Sequence, residues 1–540
     1  MPSMFNRLPF AAPTGRGKLV VGEQPDDKKN KTGVKLTAVV FFDGTLNNRA
    51  NTRLRLTTQE QLTQVEQRTR LAREQAAADA KGAAARLRTA VGEAQRAEAE
   101  PAAVAAGQEL AKLTREHEEA EKALTAYKSK IDGKSGANFY SNVSILGEMT
   151  IIEDKAKGVS QYIEGIGTTD GGGDDMHGSA FGAGFSGIIA KVNKGVRELS
   201  SKLGKLYDIE KEYIEDLTID VFGFSRGAAA ARHFVARKHL SLIGSNNICQ
   251  SLKITDYTAV KFRFVGLFDS VSSYNPGPVD VHREFKGPAR VLNHAANAAD
   301  IAANLGPAGV AMKINPDVDP AFANDVAELH LRIEEKATKV VQFAAGDEYR
   351  RNFPSTTISS ARSLHIGVEL VLPGAHSDIG GGYGEADDEP REMLLDELRR
   401  LVTEGWYAPA DDEFGAPLAG YNPTVRRVRR ALPNDYQYVP LALMLELAHG
   451  NGMKFQDFTE DKFKAYTVSV PLRAVYQQLR AQVTAHAGGT AERTLVALPP
   501  ADWAWLRRYY LHRSHHGIAM APRLVGEKPH QLPERFLIEG

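Results

Sequence analysis

The chain has 540 residues, of which 42% are hydrophobic and 25% charged, enough for a large core or two to three domains. Lys plus Arg equals Asp plus Glu at 67 each, so no global basic field argues for nucleic acid as a partner. A single cysteine, Cys249, excludes an intrachain disulfide and suits a reducing compartment.

Residues 1–34 are polar and carry no sustained apolar run, so they read as a loose arm rather than a signal peptide. No apolar stretch of about 18–20 residues occurs, so no membrane-spanning helix is expected. The stretch LTAVVFFDGTLNN (Leu36 to Asn48) reads as a buried strand ending in Asp-Gly-Thr. Half of it resembles the first motif of aspartate-nucleophile phosphatases. The nucleophile position, however, is Phe41, and a phenyl ring cannot attack phosphorus. Residues 51–131 are rich in Ala, Glu, Gln, Arg and Lys and read as an inserted helical hairpin, broken around Pro101 and Gly107. Its apolar stripe is mostly alanine, with Leu62, Val65, Leu71, Leu87, Val91, Leu110 and Leu113 scattered along it. Such a seam fits a solvated insertion or a docking arm for a partner.

From Phe139 globular character returns. QYIEGIGTTDGGGDD (161–175) reads as a strand entering a glycine loop, and the next segment as an amphipathic helix. LTIDVFGFS (217–225) reads as a buried strand, followed at once by the helix RGAAAARHFVARKHL. KFRFVGLFDSV (261–271) is a second buried strand, and IGVELVLPGAHSDIGGGYG (366–384) a third that enters a His-containing glycine loop. Strands alternating with helices imply an α/β fold, a mostly parallel sheet with helices on both faces. Residues 35–280 and 355–455 then form the catalytic core. Ala-rich 281–354 reads as a helical cap, parts of 385–435 as further helical sequence, and 456–540 as a C-terminal helical lid.

The chemistry sits in Gly223-Phe224-Ser225-Arg226-Gly227. G-x-S-x-G between a strand and a helix is a nucleophile turn: glycines allow the tight bend, and the helix N-terminus faces developing negative charge. A serine needs a base. His376, on a glycine-rich loop after a strand, is the best-placed candidate, with His512 of the C-terminal His512/His515/His516 cluster as the alternative. Asp269 closes a buried strand and is the favoured acid, with Asp378 as its competitor. Arg226 supplies one backbone oxyanion donor, and the loop after the first strand, Gly44 and Thr45, the second. Asp43 is then a loop-fixing acceptor. Cys249 lies in polar GSNNICQ with no evident base, and no cofactor or metal site is called for.

FFDGTLNN, YSNVSIL, YIEGIGT, GFSRGAAAAR, GLFDSV, PGAHSDIGGGY, YVPLALMLELA and YYLHRSHH occur in this order. They resemble the uncharacterised α/β-hydrolase domain family that includes the type VI secretion lipase effectors of the first class. The resemblance covers about 36–275, without the hairpin, and about 355–520. It implies an antibacterial phospholipase of the A1 or A2 type with a triad at Ser225, Asp269 and His376. It further implies a secretion-spike delivery partner (VgrG or PAAR type), an immunity protein, synthesis in the cytoplasm, export without a signal peptide, and action at the periplasm or membrane of a target bacterium. The Ala-rich 289–312 and the aromatic-basic DWAWLRRYYLHR are candidates for an interfacial cap, with Trp503, Trp505, Tyr509 and Tyr510 either at headgroup level or packed as core. A general esterase on soluble esters and a scaffold using the hairpin are the competing functions.

Overall fold

The computed structural model describes residues 31–131, 138–170, 174, 187–237, 259–272, 329–333, 337–350, 353–384, 387–411, 425–489, 492–513, 535 and 537–540. The strands are β1 (Thr32–Phe42), β2 (Gly158–Ile163), β3 (Glu212–Phe224), β4 (Ala259–Phe268), β5 (Ala337–Ala345), β6 (Ser355–Thr356), β7 (Gly367–Leu372), β8 (Asp387–Leu394), β9 (Val425–Leu432), β10 (Thr494–Leu495) and β11 (Leu537–Ile538). Seven form one sheet in the order β10-β7-β5-β4-β3-β1-β2. Every neighbouring pair in it is parallel.

β1 shows how the sequence builds this sheet. Its β-branched and aromatic run alternates between two cores. Val39 and Phe41 enter one, Ala38, Val40 and Phe42 the other. The first core is covered by α3 (Asn142–Met149) and, later in the chain, by the helix Tyr438–Gly450. The second is covered by α4 (Ile188–Leu203) and α5 (Arg226–Ala236). A strand buried on both faces is largely apolar in its inner half, as β1 and β4 are; in β3 the buried exception is Asp220, paired with Arg263 of β4. Helices on both faces of a parallel sheet are the expected α/β architecture.

Before α3 come α1 (Arg49–Thr89) and α2 (Glu93–Ile131), packed against each other. The turn is not at Pro101 or Gly107, which lie inside α2. It is at Gly92, whose φ of 93° favours glycine, and Gln95 Oε1 accepts from the Val91 amide there. Pro101 is exposed, so water can satisfy the carbonyl it leaves unpaired.

Three further expectations are corrected. The segment 281–354 is not helical at its end, because β5 lies within it and pairs with both β4 and β7. Its earlier part, to 328, falls outside the described residues, as do Cys249, His515, His516 and 289–312. Within 385–435, Leu395–Thr403 is helical as expected, but β8 and β9 form an antiparallel ribbon that neither DDEPREML nor VRRVRRAL signals by apolar alternation. The C-terminal region contributes β10 to the main sheet and β11 to β6, both too short to carry a period. Its helix Pro500–Tyr509 packs as core: Trp503, Trp505 and Tyr510 lie against the first core, and Arg507 sits over the Trp406 and Trp503 rings. Tyr509 alone of the four aromatics is exposed. No helix among the described residues is long and apolar enough to cross a membrane.

Candidate active site

Parallel register brings the site together. Phe224 on β3 pairs with Phe268 on β4, and Phe268 with Phe343 on β5. Ser225 and Asp269 are therefore the next residues out on adjacent strands. The Ser225 amide donates to Phe268 O at 3.0 Å, and the Asp269 amide to Phe343 O at 2.7 Å. Both turn sharply, with φ of 58° at Ser225 and 43° at Asp269, values that cost a non-glycine residue energy. Strain of this kind is kept where the surroundings over-determine it, as at a nucleophile turn.

The two glycines of the turn are required by close approach. A Cβ on Gly223 would lie 2.5 Å from Gly227 O. One on Gly227 would lie 2.2 Å from Asp43 O and 2.4 Å from Phe42 O. The second contact also locates the loop after β1, which runs directly against the start of α5, beside Ser225. Gly44 packs on the ring of Phe224.

His376 follows β7 and begins a short helix, His376–Gly380. Its Nδ1 lies 2.5 Å from Asp269 Oδ2, and its ring is 4.7 Å from that of Phe224, the residue before Ser225. Ser225, Asp269 and His376 are all buried. Burial lowers the His376 pKa below the ordinary histidine value, and the Asp269 carboxylate only partly offsets this. Burial pushes Asp269 up, but the Arg535 guanidinium and His376 outweigh it and hold the carboxyl well below the usual range.

The alternatives considered from sequence form a pair of their own. His512 Nδ1 lies 2.8 Å from Asp378 Oδ1, and Asp378 Oδ2 accepts from the amides of Ala375 (2.9 Å) and His512 (3.0 Å). Asp378 thus ties the C-terminal region to the loop that carries His376, while Asp269 alone reaches the His376 ring.

The oxyanion expectation needs refinement. The Gly44 amide donates to its neighbour's Oδ1 at 2.7 Å, so that donor is occupied. Thr45 is the remaining residue of the loop pair. The loop itself is rigid: buried Asp43 also accepts from Ser141 Oγ at 2.6 Å and Tyr162 OH at 2.6 Å, and burial raises its pKa against these bonds. Asp43 is the loop-fixing acceptor its position suggested.

Sequence reasoning missed the residues that hold these loops. Ser141 of YSNVSIL grips Asp43, while Asn142 donates to Ile379 O and Gln437 O, each at 2.9 Å, and so fixes the His376 loop. Glu348 Oε2 accepts from the His376 amide at 3.2 Å and from Arg350 Nη2 at 2.9 Å. Burial raises Glu348, but Arg350 and Arg535 bring it down to about 2. Arg535 donates to both oxygens of Asp269. The YSN signal was present in the motif order; Glu348, Arg350 and Arg535 lie outside every motif.

No family model matches the chain, and no curated protein sequence does. Among solved structures, one described as the Tle1 effector bound to the VgrG spike from the type 6 secretion system aligns over 94% of each chain, with 20% identity and a TM-score of 0.46. An uncharacterized protein from Pseudomonas aeruginosa aligns over 88% of this chain and 53% of its own, with 13% identity and a TM-score of 0.33. Likenesses at this level assign neither a family nor an activity.

Proposed function

We propose that this protein is a serine ester hydrolase that cleaves acyl esters of membrane phospholipids, and that it serves as an antibacterial effector. The observation that carries the hydrolase reading is the Asp269–His376 pair beside Ser225, a serine held at φ 58° at the start of a helix. The phospholipid substrate and the effector role rest on the ordered sequence motifs. A spike protein of VgrG or PAAR type would deliver the chain from the cytoplasm, an immunity protein would protect its maker, and the target cell's periplasm or membrane would be the place of action.

In the mechanism, Ser225 Oγ attacks the ester carbonyl while His376 takes its proton. Asp269 keeps the Nδ1 proton facing itself, so Nε2 is the basic nitrogen, and it stabilises the imidazolium. The oxyanion is met by the Arg226 amide at the start of α5 and by Thr45. Collapse of the intermediate breaks the ester C–O bond, and His376 protonates the departing lysophospholipid alcohol. Water, deprotonated by the same imidazole, then attacks the acyl-enzyme and releases fatty acid with Ser225 restored.

The experiment is fatty-acid release from phospholipid vesicles by wild type and Ser225→Ala. Release by wild type and not by the variant is the expected result. Equal release by both sinks the mechanism. Turnover confined to monomeric soluble esters, with no gain on vesicles, makes the protein a general esterase. Wild type harmless in both periplasm and cytoplasm overturns the effector role.

A further inference from the structure

Arg535, which neither motif nor mechanism uses, is a cation bonded directly to Asp269. Its Nη1 and Nη2 donate to Asp269 Oδ1 and Oδ2 at 2.6 and 2.8 Å, a bidentate fork. It is itself anchored, with Nε donating to Phe353 O at 2.8 Å and Nη1 to Ala345 O at 3.2 Å. Its backbone position is set two residues later, where β11 pairs Leu537 with Ser355 and Ile538 with Thr356. Further along, Gly540 O accepts from Ser359 Oγ at 2.8 Å and the Ser360 amide at 2.9 Å. The end of the described chain is therefore a strap that delivers one guanidinium to the back of the triad.

The Asp269 carboxylate has four donors. Oδ1 takes the Ala345 amide at 2.9 Å and Arg535, while Oδ2 takes His376 and Arg535. A triad acid supplied only by neutral donors would leave its full charge to hold the imidazolium. Here a permanent cation shares that carboxylate. We infer that Arg535 is a positioning residue which aims Asp269 Oδ2 at His376 and sets the acidity at which His376 becomes a free base. The cation weakens the carboxylate's hold on a proton at His376, so the base stays neutral to lower pH. In return, the fork fixes the carboxylate plane that a lone amide would let turn.

Other charges face the same groups. Glu348 and Arg350, on the segment after β5, approach His376. Arg493, near β10, acts on Asp269 only through space and is paired with Glu369 at 3.4 Å. Glu348 and Arg350 are bound to each other and largely cancel. Among the described residues, Arg535 is the cation bonded to the acid itself.

This inference rests on the serine-hydrolase reading, and its test separates the two. The rate at which a fluorophosphonate ester labels Ser225 follows the fraction of neutral His376 and needs no knowledge of the substrate. Its midpoint in pH does not depend on how much of the sample is folded. We expect Arg535→Gln to raise that midpoint by about one pH unit and to slow labelling at its plateau about tenfold or more. Arg535→Lys, which keeps the charge and loses the fork, should stay nearer the wild-type midpoint while still labelling slowly. An unchanged midpoint and plateau in Arg535→Gln overturns the inference. So does a plateau loss in both variants with no movement of the midpoint in either. Labelled wild type that releases no fatty acid from vesicles sinks the phospholipid reading and leaves the Arg535 test standing. Wild type that is not labelled overturns both.

Discussion

The sheet edge and the helical hairpin start from one loop and obey different rules. Asn48 caps α1, accepting from the amides of Ala50 and Asn51, only a few residues after Asp43 and Gly44 lie against the nucleophile turn. At the sheet edge nearly every side chain is buried, and backbones meet so closely that a methyl group does not fit. Along α1 the buried residues are Thr52, Ala76 and Ala83, and Val91 at its end is 82% exposed. The seam is made of small residues with His117 and Ala120 from α2. Leu71 and Val65, which look like stripe residues, face solvent. Chemistry needs groups held to fractions of an ångström, which only dense packing provides. The hairpin holds itself by helix propensity and i,i+4 pairs such as Arg70–Glu74, and needs little else.

The largest difference should appear in catalysis. Ser225→Ala is expected to lower kcat for ester hydrolysis about ten-thousandfold without changing the melting temperature. Shortening the hairpin equally from both helices should leave kcat within about twofold, because no triad contact comes from it. A truncation that abolishes hydrolysis while the protein stays folded would break the comparison.

Glycine substitutions come next. Gly227→Ala puts a methyl 2.2 Å from Asp43 O, backbone against backbone, where no side chain can yield. We expect it to destabilise the fold by at least about 3 kcal/mol in denaturant unfolding and to remove activity. Asp43→Asn should cost less, about 1–3 kcal/mol, because an amide cannot accept from Ser141, Tyr162 and Gly44 together. Its kcat should fall more than its KM rises, since Thr45 would lose its fixed position; a pure KM effect would place the loop in binding instead.

How far these features could be read beforehand follows from the same contrast. Ser225 and Asp269 were legible because each directly follows a buried strand, and His376 because it lies on the glycine-rich loop beyond β7; strand ends in a parallel sheet share one edge. The ribbon β8–β9 was not, since neither strand alternates, and β10 and β11 have two residues each. Arg535 was illegible for a different reason: its partner is 266 positions away, and nothing local marks it. The hairpin turn lies at Gly92 and not around Pro101 and Gly107, where a proline followed by a glycine suggests the break. In an exposed helix a proline forfeits one bond to water, whereas a chain reversal needs a residue that tolerates positive φ.

A smaller effect tests the electrostatics of the edge. In the proposed mechanism hydrolysis needs neutral His376, and burial lowers its pKa, so the neutral form persists to lower pH than for a free imidazole. The acid limb of kcat/KM should therefore have its midpoint below about 6.5. A midpoint above that value would mean that Asp269 dominates burial and that Arg535 does not offset it.

The smallest effect has the opposite sign to Gly227→Ala and comes from the same substitution. Gly82 lies inside α1, and a Cβ there meets nothing within 4 Å. Gly107 inside α2 is likewise open. With no neighbour to collide with, only the chain's own entropy decides. Alanine restricts the unfolded segment more than glycine does and costs the helix nothing, so each change should stabilise the hairpin by about 0.5–1 kcal/mol. Amide exchange along α1 and α2 would register this as slower opening, with ester hydrolysis unchanged. If Gly82→Ala instead loosened the hairpin, its surface would be packed against something not in this chain, and the hairpin would belong with the sheet edge as a place where shape is constrained.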